Sequence, residues 1–516
     1  MVTQINFNDV FFNYYFLIGG LFLSYLIYRF LHSLFGNNNF MQTKYKDRGH
    51  TWRSIQCNKS IPYNIYCTIC SKLMLAVVGL FCECCGASAC KKCYKVVDKK
   101  IKCKQVTWPV QKPFFHHWIN VGAARSENAE NEENVKHYFC SWCQRIKSFH
   151  DNEEVKLEEC DFQKYKHFII PPVCVQMDKK VVKYIKPLAD ENWEPLVVIA
   201  NRNSGSNRGD EILSLFRGLL NPIQVVDIKS NTPESVVRWL PPKCRILVCG
   251  GDGTVAWVLN ALASADNVKA AVGILPMGTG NDLSRALGWG PGCPSHLDAH
   301  AILTGIKQAS QQLIDRWKII IKPQRTRLGR LRADRVLYAY NYASIGVDAQ
   351  VALDFHHARA QFLYRYASRT LNYAAYAFLG VGRALDAGGC AALERRVRVW
   401  CERAPLALPP LQALLALNIP SWGAGVDLWR MGNEGEVPDQ RIDDGKLEVV
   451  GISSSFHIAR LQCGLAEPYR FTQASRLKIE LNSSCAMQVD GEPWMQGPAT
   501  IYLEPAGQRL VLRANT

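Results

Sequence analysis

The sequence predicts a multidomain protein with an N-terminal membrane helix, small cysteine-rich α+β modules, and a two-lobed region made of an α/β lobe and a β-rich lobe. Three observations predict this architecture. An uncharged apolar run lies near the N-terminus, closely spaced cysteine pairs follow it, and alternating strands and helices begin at Trp193 and give way to strands after Lys446. Because 516 residues exceed the usual size of one hydrophobic core, we expect several domains.

The apolar run covers residues 10–28 and contains no charged side chain. At 1.5 Å per residue it reaches roughly 28 Å, close to the hydrocarbon thickness of about 30 Å. A cleaved signal peptide, a membrane anchor and a buried helix all use such runs, but no Lys or Arg precedes Arg29, which argues against a signal peptide. Since basic residues follow the run and only Asp9 precedes it, we expect residues 1–36 to anchor a cytosolic chain to the endoplasmic reticulum or plasma membrane.

Composition and charge restrict the class of protein. Apolar residues make up 48% of the chain and charged residues 21%, which excludes a largely disordered protein. The net charge of +16 favours an anionic partner such as nucleic acid, nucleotide phosphates or an anionic lipid surface. Neither a C2H2 zinc-finger spacing nor a basic stripe interleaved with aromatic residues is present, so we do not expect a nucleic-acid partner. Protein partners are not indicated.

The first cysteine-rich unit, residues 49–104, has the spacing of a metal-binding module. It offers eight nitrogen and sulfur ligands, enough for two tetrahedral zinc sites: His50, Cys67, Cys70, Cys82, Cys85, Cys90, Cys93 and Cys103. In a reducing cytosol metal sites are favoured over disulfides, and thiols without a metal are the alternative. The unit resembles a C1 domain, the cross-braced zinc module of protein kinase C and diacylglycerol kinases.

The C1 resemblance implies how the ligands pair. One zinc would be bound by His50, Cys82, Cys85 and Cys103, and the other by Cys67, Cys70, Cys90 and Cys93. The family usually has histidine where Cys90 stands, so the second site would consist of four cysteines.

A second unit, residues 115–161, repeats part of this pattern. His116 echoes His50, and Cys140, Cys143 and Cys160 follow it, which gives one plausible site of one histidine and three cysteines. The first CxxC pair of a second C1 domain is missing, so the other zinc site cannot form. Because structural zinc contributes on the order of 10 kcal/mol to folding, we expect a degenerate, partly ordered C1 domain.

Three glycine-bearing loops predict a phosphate-binding site. Gly250, Gly251, Asp252, Gly253 and Thr254 stand between the apolar strand 245–249 and a helix that is predicted to start at Val255. Glycines let the backbone approach a phosphate, and a helix N-terminus directs N–H donors at it. Alone, this stretch is also compatible with an ordinary strand-to-helix turn.

Two further loops follow neighbouring strands. The strand 196–200 leads into Asn203, Ser204 and Gly205, and the strand 271–275 leads into a loop that contains Gly278, Thr279, Asn281 and Asp282. Loops that follow parallel strands converge on one edge of a sheet, where α/β proteins bind their ligands. The triplet resembles the catalytic domain shared by diacylglycerol kinases and sphingosine kinases and, more distantly, by NAD kinases and phosphofructokinases.

The resemblance to the diacylglycerol kinase family covers nearly the whole chain. Residues 168–172, 247–254, 287–290, 315–318 and 487–494 carry it. It implies a Rossmann-like catalytic lobe at 190–325, a β-rich accessory lobe at 326–516, and phosphorylation of 1,2-diacylglycerol to phosphatidic acid at a membrane with ATP and Mg²⁺. This reaction ends diacylglycerol signalling and feeds phosphatidylinositol resynthesis. The apolar segment with paired C1 units is the layout of the epsilon type, which implies a preference for arachidonoyl chains.

Candidate catalytic carboxylates also follow from the resemblance. Asp490-Gly491-Glu492 resembles the Asp-Gly-Glu motif of bacterial lipid kinases, which implies Asp490 as general base and Glu492 as its orienting partner. An Asp-Gly hairpin turn is the alternative. Asp252 is a candidate for holding Mg²⁺ or the nucleotide, and Asp282, Asp443 and Asp444 are further candidates.

Two other functions use parts of this pattern. A kinase for another lipid, such as a sphingoid base, would use the same loops, although C1 units argue against it. A non-catalytic, diacylglycerol-sensing membrane adaptor predicts erosion of the loops or of the carboxylate pair, and both are intact. We therefore expect a lipid kinase with diacylglycerol as substrate and anionic membrane lipids as partners.

Overall fold

The computed structural model describes Ser24 and residues 49–54, 66–74, 79–122, 135–150, 157–179, 181–204, 208–265, 267–324, 333–360, 390–431 and 438–515. The chain divides into two compact units. One consists of Met1–Lys104 with His117–Leu157, and the other of Gln105–His116 with Glu158–Thr516.

The expected membrane anchor, residues 10–28, lies outside the described residues apart from Ser24. In the part of the chain that the structure does describe, no helix combines the length and the apolar character needed to span a bilayer. The anchor therefore stays a prediction.

The first unit contains two small antiparallel sheets and one helix. Strands β1 (Trp52–Ser54), β2 (Gly79–Cys82) and β3 (Ser88–Cys90) form the first sheet, and β4 (Trp118–Gly122), β5 (Val135–Cys140) and β6 (Ile146–His150) form the second. Helix α1 covers Tyr94–Lys100. The core around Trp52, Ala89 and Val97 is small.

The second unit begins with a hairpin and a parallel sheet. The hairpin consists of β7 (Val175–Asp178) and β8 (Val181–Ile185). The parallel strands are β9 (Leu196–Ala200), β10 (Val225–Asp227), β11 (Lys243–Gly250) and β12 (Lys269–Pro276), in the order β10-β9-β11-β12. Every residue of β9 is buried, which is typical of a parallel strand covered on both faces.

Five helices accompany this sheet. They are α2 (Gly209–Leu219), α3 (Pro233–Val237), α4 (Asp252–Leu262), α5 (Asp282–Ala286) and α6 (Ala299–Gln308). The predicted alternation of strands and helices is confirmed, with two differences. The predicted strand 223–228 shortens to β10 because Pro222 starts a 3-10 helix, Pro222–Gln224, capped by Asn221. Helix α4 begins at Asp252 instead of Val255, so Asp252 lies in the first helical turn.

The remaining strands build the β-rich part. They are β13 (Ser310–Pro323), β14 (Arg335–Ala339), β15 (Tyr342–Gly346), β16 (Val397–Cys401), β17 (Ala404–Leu406), β18 (Ala413–Leu417), β19 (Leu447–Ile452), β20 (Tyr469–Ala474), β21 (Leu477–Leu481), β22 (Cys485–Val489), β23 (Glu492–Gln496) and β24 (Ala499–Arg513). Helices α7 (Val347–Ala360) and α8 (Ser455–Gln462) complete it. Six of the strands form an antiparallel sheet in the order β20-β19-β18-β15-β22-β23.

Strand β24 joins the two lobes into one sheet. It pairs antiparallel with β13 along most of its length and parallel with β12 at Val511 and Val272, so a ten-stranded sheet runs from the parallel strands into antiparallel ones. The sequence predicted only a short strand at residues 500–503. The predicted order, an α/β lobe followed by a β-rich lobe, is thus confirmed, but the C-terminal strand β24 returns to the first lobe.

Candidate functional site

The loops after β9, β11 and β12 meet, as the parallel strand order predicted. The Asn201 side-chain amide donates to Thr254 Oγ1 at 3.1 Å, which ties the first loop to the second. The second and third loops touch through glycines: a Cβ added at Gly278 would lie 2.7 Å from the Gly251 Cα. Neither glycine therefore accepts a side chain without displacing backbone.

The first loop is only partly described. Asn203 N donates to Asn201 Oδ1 at 3.0 Å and Ser204 N donates to Asn201 O at 3.2 Å, so Asn201 shapes this turn. Asn203 is exposed and Ser204 is buried. Gly205 lies outside the described residues.

Asn281 holds the third loop in shape. It adopts a left-handed conformation with φ of 53°, which Asn tolerates better than most residues. Its Oδ1 accepts from Gly278 N at 2.9 Å, and its Nδ2 donates to the carbonyl oxygens of Gly278 and Pro291, both at 2.9 Å. Thr279 remains partly exposed between these anchored points. The Asn281 side chain, which was predicted to bind a cofactor, is thus occupied in fixing the loop backbone.

Two predicted acidic residues lie side by side. The Asp252 carboxylate accepts from the backbone N–H groups of Asp282 at 3.1 Å and Leu283 at 3.0 Å, at the start of α5. Asp282 Oδ1 accepts from Ser421 Oγ at 2.7 Å and from Ala424 N at 3.0 Å. Burial raises the pKa of both carboxyls, and the charge of Asp252 adds to the shift of Asp282, whose pKa rises to about 6. Residues of both lobes therefore surround this acidic pair, and the nearby Arg285 opposes the rise in the pKa of Asp282.

Asp490 is buried at the turn between β22 and β23, with 7% of its surface exposed. Its Oδ2 accepts from Tyr340 N at 2.9 Å, and its Oδ1 accepts from Asn341 N at 2.8 Å and Tyr342 N at 3.1 Å. Burial raises the pKa of Asp490 to about 7, the three amide donors oppose this shift, and the charge of Asp252 reinforces it. A carboxylate near Asp252 with a pKa in the working range of an enzyme has the properties of a general base.

Glu492 does not accompany Asp490 in this arrangement. It is exposed at the start of β23, and its Oε1 lies 3.2 Å from where a Cβ on Gly253 would be. Glu492 therefore lies over the first turn of α4, while the groups that orient Asp490 are backbone amides. The predicted orienting role of Glu492 stays a prediction.

Asn341 connects the acidic groups and was missed by the sequence reasoning. Its side chain opposes the burial-driven rise in the pKa of Asp252, and its backbone N–H donates to Asp490 Oδ1 at 2.8 Å. It is 2% exposed. The only signal in the sequence is an asparagine between two tyrosines at a predicted change of element, which is too weak to single it out.

A second buried asparagine supports the same connection. Asn418 Nδ2 donates to the carbonyl oxygens of Tyr340 at 2.6 Å and Asp315 at 3.2 Å, and its Oδ1 accepts from Trp317 Nε1 at 2.9 Å. Asn418 thus fixes the strand end that presents the amides to Asp490.

Asp443 and Asp444 belong to another cluster. Both raise the pKa of Asp315, which is raised first of all by burial. Asp315 itself accepts from Gly445 N at 2.6 Å and from Gln508 Nε2 at 2.8 Å. The structure therefore groups these two predicted candidates with Asp315, apart from the loop site.

The first unit brings the eight C1 ligands together in the two predicted sets. Within each set the ligand atoms lie no more than 4.8 Å apart. The Sγ atoms of Cys82 and Cys103 are 3.6 Å apart, and Cys85 Sγ lies 3.3 Å from His50 Nδ1. These distances fit the edges of the ligand tetrahedron around a zinc ion, in which two thiolate sulfurs are about 3.8 Å apart.

The other ring nitrogen of His50 lies 3.0 Å from Ile101 O. A backbone carbonyl in this position fixes the ring and its tautomer, as is common for metal-binding histidines. The remaining predicted set is divided between the units, since His116 and Cys160 belong to one and Cys140 and Cys143 to the other. That set stays a prediction.

Comparison with known proteins gives two family matches in the second unit. The diacylglycerol kinase catalytic domain matches residues 195–313 and the diacylglycerol kinase accessory domain matches residues 338–493. Together they cover more than half of the chain.

Two curated relatives and one solved structure illustrate the likeness. Human diacylglycerol kinase theta is 37% identical over 329 residues, which are 61% of this chain and 34% of the relative. Probable diacylglycerol kinase 3 of Caenorhabditis elegans is 30% identical over 522 residues, 91% of this chain and 64% of the relative. The chain thus spans about a third of the human relative. A diacylglycerol kinase structure from Bacillus anthracis str. Sterne aligns at a TM-score of 0.38 with 16% identity, covering 62% of this chain and 97% of that one.

Proposed function

Because the chain belongs to the diacylglycerol kinase family, we propose that it transfers the γ-phosphate of ATP to the free hydroxyl of 1,2-diacylglycerol and so makes phosphatidic acid. One observation carries this proposal beyond family membership. A buried carboxylate, Asp490, is oriented by three amides and lies close enough to Asp252 at the glycine loops for the charge of Asp252 to raise its pKa, with Asn341 beside both. The base and the phosphate-binding loops are therefore held in one framework.

The glycine loops are suited to the phosphates of ATP. Gly251 and Gly278 bring two loop backbones into contact, and α4 starts at Asp252, so the N–H groups of its first turn point out of the helix end. Asp252 and Asp282 are the residues that would hold Mg²⁺, because hard cations prefer carboxylate oxygens and these two carboxyls lie side by side at the loops. The cation would neutralise charge on the phosphates.

Asp490 would take the proton of the diacylglycerol hydroxyl. Its Oδ1 accepts two amide hydrogen bonds and its Oδ2 accepts one, so Oδ2 retains more capacity for the proton. As the hydroxyl oxygen bonds to the γ-phosphorus, the bond from that phosphorus to the bridging oxygen of ADP breaks. ADP leaves with the bonding electrons, and Asp490 returns the proton to solvent.

The direct test measures transfer of the ATP γ-phosphate by the purified chain in detergent mixed micelles with Mg²⁺. Diacylglycerol and a sphingoid base are offered as separate acceptors. Phosphatidic acid as the main product supports the proposal. Phosphorylation of the sphingoid base alone, or binding of diacylglycerol without turnover, would replace it with another lipid kinase or with the adaptor function.

Activity is expected to depend on the ionisation of Asp490. Because its pKa is raised to about 7, kcat/KM should fall about tenfold per pH unit below that pH and level off above it. The same shift makes the contribution of this group to folding stability largest below about pH 4 and lost as the pH rises through about 7. Kinetics across this pH range, with ATP affinity measured in parallel, check the prediction; a flat kcat/KM profile would contradict it.

Replacing Asn341 tests the link between the two carboxylates. Asn341→Ala removes the side chain that favours the ionised form of Asp252. Polar interactions with a charged group are worth about 1.5–3 kcal/mol, so we expect kcat to fall roughly 10- to 100-fold. Asn221→Ala is the matched control, because Asn221 is also buried and hydrogen-bonded but through Ile170 O and Ile223 N. Both variants should lose thermal stability, and only Asn341→Ala should lose kcat in the fraction that remains folded.

We also propose that the two ligand sets of the first unit bind zinc. Metal analysis of the chain should give at least two zinc ions, and Cys85→Ser or Cys70→Ser should each remove about one. Cys84→Ser is the control, since Cys84 is a buried neighbour that belongs to neither set. Equal zinc loss in all three variants would contradict the assignment.

The membrane anchor at residues 10–28 and the cytosolic location remain part of the proposal. Extraction of membranes at alkaline pH tests the anchor. The full chain should stay in the membrane fraction, and deletion of residues 1–36 should release it.

An epsilon-type preference for arachidonoyl chains is likewise a proposal. Competition between diacylglycerols with different acyl chains measures it.

A further inference from the structure

The β7–β8 hairpin projects from the α/β lobe. A strand that lies on a protein buries alternate residues. In β7, however, Val175 is buried and the next three residues are all exposed; in β8, Val181, Lys183 and Tyr184 are exposed and only Ile185 is fully buried. Val182 is half-buried and packs against the core of the lobe. The other side chains of the distal half are exposed to solvent.

The base of the hairpin is firmly attached. Cys174, Val175 and Ile185 belong to the buried core of the α/β lobe. Lys186 N donates to Cys174 O at 2.8 Å, which closes the base of the two strands. The two strands pair only with each other within the described residues. The tip is thus held at a fixed position on the lobe through its base and Val182, while Val181, Lys183 and Tyr184 stay exposed.

The exposed tip combines apolar and cationic side chains. Val181 is 70% exposed, Tyr184 47% and Met177 37%. Lys179, Lys183 and Lys186 are exposed. Asp178 is the one acidic residue of the two strands and their turn. No ion pair joins the three described lysines to a carboxylate in the part of the chain that the structure describes.

We propose that this hairpin is a binding surface for anionic phospholipid bilayers. Lysines near an anionic leaflet are attracted to it, and Tyr is enriched at the membrane interface because its ring is apolar and its hydroxyl polar. Val181 and Tyr184 would enter the interface while the lysines contact lipid phosphates. Exposed apolar residues on an open strand edge would otherwise favour aggregation.

The proposal extends the proposed function and rests on it for the source of the membrane, since diacylglycerol is a bilayer lipid. Phosphatidic acid, the proposed product, is itself anionic. Its accumulation would strengthen retention of the enzyme on the membrane where it acts. This consequence follows from charge alone and requires no pocket.

The test compares binding of the 516-residue chain to phosphatidylcholine vesicles with and without phosphatidylserine by flotation. The ratio of the two partition coefficients isolates the electrostatic part, because an apolar anchor contributes equally to both. Each lysine should contribute about fivefold, so Lys179→Gln, Lys183→Gln and Lys186→Gln together should lower the ratio roughly 100-fold. Lys269→Gln, Lys307→Gln and Lys322→Gln, three exposed lysines of the same unit, remove the same charge elsewhere.

A second variant separates insertion from charge. Val181→Thr with Tyr184→Thr keeps β-forming side chains and should weaken binding to both kinds of vesicle. An unchanged ratio of partition coefficients in the hairpin lysine variant would overturn the proposal, and so would an equal fall of this ratio in the control variant. The proposal would also be overturned if the hairpin lysine variant lost binding to nucleic acid or protein but kept its binding to vesicles. Phosphorylation of diacylglycerol in detergent micelles is measured on the same samples, so a chain without kinase activity is distinguished from a chain without this lipid surface.

Discussion

Asp490→Asn is expected to lower kcat roughly 10²- to 10⁴-fold, the range that a general base contributes. The substitution keeps the shape of the side chain but removes the proton acceptor. It also replaces one carboxylate oxygen by an NH₂ group that faces backbone N–H donors. These donors are Tyr340 N if Oδ2 is replaced, or Asn341 N and Tyr342 N if Oδ1 is replaced. We therefore expect a loss of stability of about 1–3 kcal/mol in addition to the kinetic loss.

Two measurements separate these effects. Thermal unfolding and ATP binding report whether the variant is folded, and the pH profile reports whether the ionisation near pH 7 has disappeared. Asp348→Asn is the matched control: Asp348 is a buried carboxylate of the same sheet region that accepts from Ser344 Oγ and Gln488 Nε2. A comparable kinetic loss in Asp348→Asn, or an Asp490→Asn variant that keeps its activity, would remove Asp490 as the base.

Gly278→Ala is expected to abolish ATP binding at the glycine loops. The new Cβ would lie 2.7 Å from the Gly251 Cα and 2.8 Å from Asn281 Oδ1. The first is backbone, and the second belongs to a side chain held by three hydrogen bonds, so neither can yield cheaply. We expect kcat/KM for ATP to fall about 100-fold or more, since small displacements of positioning groups are costly in catalysis.

Gly497→Ala provides the control, because no atom lies within 4 Å of its added Cβ. ATP affinity by calorimetry and kinase activity should change little in Gly497→Ala. Normal ATP binding by Gly278→Ala would show that the loops do not form the nucleotide site. Diacylglycerol binding by both variants keeps a nucleotide defect distinct from a general loss of structure.

Features that depend on local sequence patterns were predicted correctly. The strands 196–200 and 477–481 appear with the predicted limits, because continuous or alternating apolar runs determine burial locally. The convergence of the three loops followed from parallel strand order. The two zinc-ligand sets followed from cysteine spacing and the C1 resemblance, and the structure groups the same residues.

The hydrogen-bond partners of buried polar groups were not predicted, because these partners lie far away along the chain. Asp490 meets Asn341, from which it is separated by 149 residues, and Asp282 meets Ser421, 139 residues away. The partners of a buried carboxylate are set by which strands become neighbours, so an Asp-Gly-Glu motif indicates a carboxylate without its donors. The Oε1 of Glu492 lies 3.2 Å from the position of a Cβ on Gly253, and its orienting role toward Asp490 stays a prediction.

By itself, the sequence determined the order of elements and the three glycine loops, because both depend on short-range patterns. The two ligand sets of the first unit and the family followed from the resemblance that those patterns carry. Only the tertiary structure decided that β24 returns to β12 and merges the two lobes into one sheet. It also decided that the backbone N–H of Asn341 donates to Asp490 and that the β7–β8 hairpin leaves Val181, Lys183 and Tyr184 exposed. The physical reason is that strand pairing, burial and the satisfaction of buried polar groups depend on residues far apart in the chain, which no local pattern specifies.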